Sequence, residues 1–464
     1  MNNKDTMDTV RKLDNESWFH PWESMSVAGN ANRTIVTKAE GIYVYDETGR
    51  RLIDGPGGMW CMQIGYGRHE MAEAVAEQMK QMPYMNPFSL TSAPSARLAA
   101  KLAELAPGDL NHVFLTADGS TAVDTALRFT HFYNNVKGRR NKKHIISRAS
   151  AYHGSTYLCA MVTGKERDKN WFDIGSPFVH FLPSVKPSVR AEGVTIDEFC
   201  SEKVRDLENK ILELGAENVC AFIAEPIQSS GGVIVPPPDY IRKCWEVCRK
   251  YDVLYISDEV VTGFGRLGHW FASEDVFGIQ PDIITCAKGL TSGYLPLGAC
   301  LISDRLFSEV SGDASQNATF SHGFTYSGHP ACSAAALKNI EIIERENILD
   351  HVRQIGPYFQ QRLRELLEIP IVTEVRGMGL VGCVECTVKG MTEDSLTFDT
   401  DLGARIDRHC HELGLMLRPM VNLCVFSPPL VITKEQIDEM IDVMKTGIIR
   451  AMREIEQELR IVII

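Results

Sequence analysis

The chain has 464 residues, 44% of them apolar and 23% charged, with a formal net charge of −12. That composition describes a globular protein able to bury a sizeable core without disulfides, and an acidic balance with no Lys/Arg-rich stripe speaks against nucleic acid and anionic membrane as partners. The 13 cysteines are scattered and odd in number, which reads as reduced thiols of a cytoplasmic protein; no signal-peptide core is visible, and no run approaches the ~18 apolar residues of a membrane span.

Residues 1 to about 20 are polar and read as helical, and Trp22 follows in HPWESM. Alternating apolar residues around Asp46-Glu47-Thr48-Gly49 predict a β-hairpin. It leads into a glycine-rich bend, Gly57-Gly58, that carries Trp60. A Trp on such a bend offers a pocket a large area at low entropic cost. HEMAEAVAEQMKQM is an amphipathic helix, and PYMNPFSLTSAP a Pro-rich loop carrying Phe88. HVFLT is a strand and AVDTALRFTHFY a helix. Between them, Asp118-Gly119-Ser120-Thr121 is a small-residue turn opening a helix, where free N–H groups and the positive dipole end face an anion. Taken alone, a plain helix cap is the commoner reading of such a turn. KHIISR is a strand, followed by Tyr152-His153-Gly154. An aromatic beyond a strand end can cover a flat ring by offset stacking. Residues 165 to about 205 read as surface loops with a partner contact. CSEKVRDLENKILELG is a helix, VCAFIA a buried strand ending at Glu225, and DYIRKCWEVCRKYD a helix.

Two short apolar runs then matter most. VLYIS delivers Asp258 and DIITCA delivers Lys288, and both runs read as strands buried on both faces of a parallel sheet. Ligands of open α/β sheets sit beyond the strand C-termini, so an acid and an amine aim into one pocket. A lysine can form a Schiff base with an aldehyde cofactor, and an aspartate can keep a pyridine nitrogen protonated. Singly, each has a plain reading: a solvated loop lysine and a helix N-cap. The surrounding runs, YISDEVVTGFGRLG and PDIITCAKGLTSGYLPLGA, resemble the fold type I pyridoxal-phosphate enzymes, and within them the class III aminotransferases of the ω-amine:pyruvate branch. The resemblance covers roughly residues 20 to 455.

The resemblance implies an α/β fold: a large domain with a mostly parallel, seven-stranded sheet plus a small α+β domain. The expected boundaries are 1–65 for an N-terminal segment joining the small domain, 66–333 for the large cofactor-binding domain and 334–464 for the C-terminal small domain. It also implies pyridoxal 5′-phosphate as cofactor, Lys288 as the Schiff-base lysine and Asp258 as partner of the ring nitrogen. Gly119, Ser120 and Thr121 correspond to the phosphate cup, with Asp118 expected to turn away. Tyr152 corresponds to the residue stacked on the ring, Val260 packs under it, and Glu225 is an acid close by. His153 lies in the motif, as a structural or a catalytic residue. Val261 replaces a Gln that many relatives use on the cofactor's phenolic oxygen. Trp22, as pocket wall or aromatic staple, Trp60 and Phe88 correspond to substrate-site aromatics, the last reaching a neighbouring subunit. Thr325 corresponds to a donor to the neighbour's phosphate, with Ser327 or His329 as competitors, and Arg418 to the residue that holds a substrate carboxylate.

The implied function is amino transfer from an ω-amine or amino acid to a keto acid, pyruvate above all, in a homodimer or higher homo-oligomer. A decarboxylase or aminomutase on the same fold and a non-catalytic cofactor-binding protein are the alternatives. Two matches to G-x-G-x-x-G, at Gly263–Gly268 and Gly377–Gly382, lack the strand–turn–helix context of a dinucleotide site. Cys383 and Cys386 form a C-x-x-C whose side chains fall on opposite faces of a strand. His409, Cys410 and His411 have no metal spacing, so no metal is expected.

Overall fold

The runs ending at Asp258 and near Lys288 are neighbouring strands in the middle of a seven-stranded sheet. The structure is a computed structural model that describes residues 6–312, 318–388, 395–460 and 462–463. Three N-terminal strands, β1 (Val36–Glu40), β2 (Tyr43–Asp46) and β3 (Arg51–Asp54), follow the helix Met7–Ser17. The expected hairpin is β2–β3, with β1 added on its outer edge.

The central sheet contains β4 (His112–Thr116), β5 (His144–Arg148), β6 (Val179–Leu182), β7 (Val219–Ala224), β8 (Leu254–Asp258), β9 (Ile283–Cys286) and β10 (Gly298–Ile302), in the order β4-β10-β9-β8-β7-β5-β6. Strands β5 to β9 are parallel, and β10 is antiparallel to both β9 and β4. Every residue of β7, β8 and β9 is buried, as covering on both faces requires. On one face Ile223, Leu254, Ile256 and Ile283 pack with Val123, Ala126 and Leu127 of the helix Gly119–Val136. On the other, Phe222 and Tyr255 pack with Leu207 and Ile211 of the helix Ile196–Leu214 and with Ile241 and Cys244 of the helix Tyr240–Lys250.

A three-stranded sheet joins β11 (Val372–Met378), β12 (Val381–Cys386) and β14 (Leu423–Phe426), while the two-residue β13 (Leu415–Met416) pairs in parallel with β3. One core unites Ile42, between β1 and β2, and Ile53 of β3 with Phe359, Ile406, Leu415, Met440 and Met444. The guanidinium of Arg266 ties this part to the central sheet. It is buried and donates to the carbonyls of Leu380 (3.0 Å) and Pro428 (2.5 Å) and to the Gln63 side chain.

Three readings need correction. The stretch 165–205 is not all loop: it holds the edge strand β6 and the start of the helix Ile196–Leu214. Four residues between prolines, on a sheet edge, give too short an alternation to be read. The Pro-rich loop ends at Ser92, whose hydroxyl caps the helix Ala93–Leu105, with a proline tolerated in its first turn. Strand β10 was hidden in a glycine- and proline-rich run. Neither G-x-G-x-x-G opens a helix. Gly263–Gly268 is a loop folded back through a Phe264 N–H to Trp270 O bond, and Gly377–Gly382 is the β11–β12 hairpin. Among the described residues no helix is long and apolar enough to cross a membrane.

Candidate active site

Five strand ends open onto one cavity of about 450 Å³, within the range of small-molecule sites. The turn after β4 brings Asp118, Gly119 and Ser120; the loop after β5 brings Tyr152, His153 and Gly154; β7 leads directly into Glu225; β8 ends at Asp258, followed by Val260 and Val261; and β9 leads to Lys288. Crowding by parallel strands forces these loops to the same side, which is how residues far apart in sequence come to share a wall.

Lys288 begins a one-turn helix and has a φ of 41°, a conformation that costs a side-chain-bearing residue energy. It is half-buried because its amine opens onto the cavity. Protein on every other side lowers its pKa below the ordinary lysine value, while the negative charge of Asp258 opposes the shift. Asp258 is 4% exposed. Its Oδ2 accepts from His153 Nδ1 at 2.6 Å, and its Oδ1 from the Val260 N–H and Thr285 Oγ1, both at 3.2 Å. Three donors fix the carboxylate's plane. His153 is thereby held as a hydrogen-bond donor to Asp258, and its buried Nε2 has no partner among the described residues. Glu225 accepts from the N–H groups of Tyr152 and Ser229, each at 3.1 Å, so it shapes two cavity loops. Burial raises its pKa, and His153 pulls the other way.

At the N-terminus of the helix Gly119–Val136, the Asp118 carboxylate accepts from the Thr121 N–H at 2.8 Å, and the Thr121 hydroxyl in turn bonds back to Asp118. Asp118 is therefore engaged with its own helix turn, as a capping box requires. The same bonds correct the expectation for Thr121: its N–H and hydroxyl are taken, and it does not line the cavity. The N–H groups of Gly119 and Ser120 have no acceptor among the described residues. A Cβ on Gly154 would lie 2.6 Å from Ser120 Oγ, so the two loops meet only because residue 154 has none.

Trp60 is 7% exposed, lines the cavity and lies 5.7 Å from Lys288 Nζ, measured to its ring centroid. Its turn is pinned by the Gly58 N–H to Asp54 Oδ2 bond of 2.6 Å. Trp22 meets Tyr152 edge to face at 6.0 Å. Arg418 is within electrostatic reach of Lys288 and Tyr152, has no carboxylate within 4.0 Å among the described residues, and donates only to Met59 Sδ. Phe88 and Thr325 do not line this chain's cavity. Phe88 is 70% exposed beside Gly323, and the Thr325 carbonyl accepts from Tyr84 on the same flank. Sequence reasoning missed Ser230, which lines the cavity, and Lys165, which touches Ser230. Lys165 Nζ donates to Ser230 Oγ at 3.3 Å. The Ser229-Ser230-Gly231-Gly232 turn beyond a buried strand was the available signal for the first; the lysine carried none.

A family model described as class-III aminotransferase matches residues 25–448. The putrescine–pyruvate aminotransferase of Pseudomonas aeruginosa is 42% identical over 434 residues, 92% of this chain and 93% of that protein. The mitochondrial γ-aminobutyrate transaminase 1 of Solanum lycopersicum is 38% identical over 444 residues, 94% of this chain and 84% of that one. Among solved structures, a thermostable (S)-enantioselective ω-transaminase from Thermomicrobium roseum superposes with a TM-score of 0.90 at 36% identity, over 96% of this chain and 98% of its own. The ω-transaminase of Pseudomonas jessenii in complex with PMP gives 0.92 at 34% identity, over 96% and 98%.

Proposed function

The chain belongs to the class-III aminotransferase family, and on that premise we propose that it carries the amino group of an ω-amine to pyruvate, as a homodimer in the cytoplasm. It is a pyridoxal-phosphate-dependent transaminase of fold type I. The cofactor supplies an aldehyde for an amine to join and a ring that takes up the electron pair left when the donor carbon loses its proton. The residues present fit that group: an unpaired helix N-terminus for the phosphate, a carboxyl group at the cavity floor, an amine, and an aromatic ring to cover a flat one.

In this reading Lys288 Nζ holds the cofactor and, once released, takes the proton from the donor carbon and returns it. An amine whose pKa is held below the ordinary lysine value is better suited to both tasks than an ordinary lysine. Asp258 keeps a proton on the ring nitrogen, and His153 keeps Asp258 in place. The N–H groups of Gly119 and Ser120 bind the phosphate. Tyr152 and Val260 flank the ring. Trp60 and Trp22 wall the donor side and exclude water, and Arg418, without a carboxylate partner among the described residues, holds the keto acid. Phe88 and Thr325 serve the neighbouring subunit's cavity. Support for a homodimer comes from the exposed apolar rings on that flank, Phe88 and Tyr326. Support for a reducing compartment comes from thirteen free cysteines.

The observation that carries the reading is the pair itself: Lys288, at a strained φ beside a three-donor Asp258. The test is to mix holoenzyme with a panel of amines and pyruvate and to follow alanine formation. Turnover confined to α-amino acid donors would sink the ω-amine proposal. Carbon dioxide release, or product without an acceptor, would replace transfer by decarboxylation or amino migration. A monomer by light scattering that is fully active would remove the subunit-sharing part.

A further inference from the structure

We propose that Lys165 reads the charge at the far end of the donor, favouring amines that end in a carboxylate and disfavouring diamines. This deepens the ω-amine reading and rests on it. The ammonium of Lys165 stands 3.3 Å from Ser230 Oγ, and Ser230 is part of the cavity wall. It also lies 5.7 Å from the ring centroid of Trp22 and 5.9 Å from that of Tyr152, two rings that meet edge to face. Two aromatic rings converging on one point form a receptor for a cation, and here the protein's own lysine occupies it. A distal ammonium entering along Tyr152 therefore meets a like charge where its aromatic partners should be. A distal carboxylate meets a hydrogen-bond donor.

The nearby charges do not cancel this effect. Asp168 Oδ2 lies 3.1 Å from Lys165 Nζ and keeps it in place, but Asp168 Oδ1 also faces Arg167 Nε at 3.6 Å. Two cations around one carboxylate leave the cluster positive. Arg418 adds a further cation within reach of the same Tyr152. Lys165 itself is only 15% exposed along its side chain, so solvent screening of its charge is incomplete.

The test compares three four-carbon donors, butylamine, 4-aminobutyrate and 1,4-diaminobutane, with pyruvate held constant. The kcat/KM of each charged donor is divided by that of butylamine, so general packing effects drop out. In Lys165→Met the 4-aminobutyrate ratio should fall about tenfold and the 1,4-diaminobutane ratio should rise about tenfold, the size of one partly screened charge contact. Lys165→Arg, which keeps the charge, should retain the wild-type order. Unchanged ratios in Lys165→Met, or ratios that move together, overturn the role of Lys165 and leave the ω-amine reading standing. Wild-type turnover of none of the three donors, with α-amino acids active, overturns both.

Discussion

Gly119→Ala isolates the space between the helix N-terminus and the cavity floor. Residue 119 is the first of the helix Gly119–Val136, where alanine is intrinsically favoured over glycine by up to about 1 kcal/mol. The obstacle is contact. A Cβ there would lie 3.0 and 3.1 Å from the two methyls of Val260 and 3.5 Å from Ala287 Cβ. Carbon atoms prefer separations of about 3.5–4.0 Å, so both valine methyls must retreat by half an ångström or more. Val260 is tied to the site by its own N–H, which donates to Asp258 Oδ1 at 3.2 Å, so its movement disturbs the acid as well. Overpacking of this kind costs about 1–3 kcal/mol. Stability of the cofactor-free protein should fall by less than that, since the helix preference offsets part of it. Cofactor affinity should carry the main effect, a weakening of roughly fivefold to a hundredfold. The assay is titration of the cofactor-free protein with pyridoxal phosphate, alongside its melting temperature. Val260→Ala removes both methyls, so in that background Gly119→Ala should cost less than about twofold. If it costs as much there as in the wild type, the Val260 contact is not the reason glycine is required.

Three further outcomes follow from the same geometry. Lys288→Ala should reduce amino transfer by about four orders of magnitude, the scale of a lost acid–base group. Borohydride reduction of holoenzyme should then add the cofactor's mass to the wild type and not to the variant, and equal labelling would move the attachment elsewhere. Only a neutral amine captures an aldehyde, and burial lowers the pKa of Lys288; the rate of cofactor capture should therefore climb with pH and level off below the ordinary lysine range of about 10.4. A plateau reached only in that ordinary range would contradict the assignment. Asp407, on the helix Ser395–Glu412, is raised by burial from 3.8 to about 6, with the Leu417 N–H opposing the rise. Between those values the folded state holds the extra proton, so its contribution to stability falls as pH rises through that window. The penalty is complete above it. Asp407→Asn should therefore stabilise the protein by about 1–2 kcal/mol at pH 7.5, after discounting for partial exposure. The gain should vanish near pH 4, and an equal gain at both pH values would show that charge is not the cause.

Much of the site was legible because buried parallel strands leave a distinct trace. VCAFIA, LYISD and IITC are apolar without alternation, and each stops at or near a polar residue that the sheet aims into the cavity. The hidden parts lack such a trace. Strand β6 has four residues on an edge, and β10 is antiparallel in an otherwise parallel sheet. Their positions depend on partners far along the chain. Thr121 was misassigned for a local reason: a threonine three residues after an aspartate can close a capping box, and doing so removes its donors from the ligand side. Lys165 was invisible because its importance comes only from where Trp22, Tyr152 and Ser230 happen to meet.

The backbone at Trp60 and Lys288 explains why the two ends of the chain are needed to complete one cavity. Both residues have positive φ, 62° and 41°, although neither is a glycine. Such conformations cost about 1–3 kcal/mol each and persist only when their surroundings over-determine them. Here the surroundings are close. A Cβ at Gly57 would lie 2.2 Å from the Ser427 carbonyl, and one at Gly289 would lie 2.6 Å from Gln63 Nε2. Gln63 also accepts from Arg266, which in turn donates to the carbonyls of Leu380 and Pro428. The turn bearing the tryptophan is thus pressed against the Ser427 carbonyl just beyond β14, and the turn bearing the lysine against the Gln63 side chain, which Arg266 links to Leu380 and Pro428. The amine and the aromatic wall that faces it are set by packing outside the central sheet, so substitutions around Ser427 or Arg266 should alter donor preference without touching a residue of the cavity.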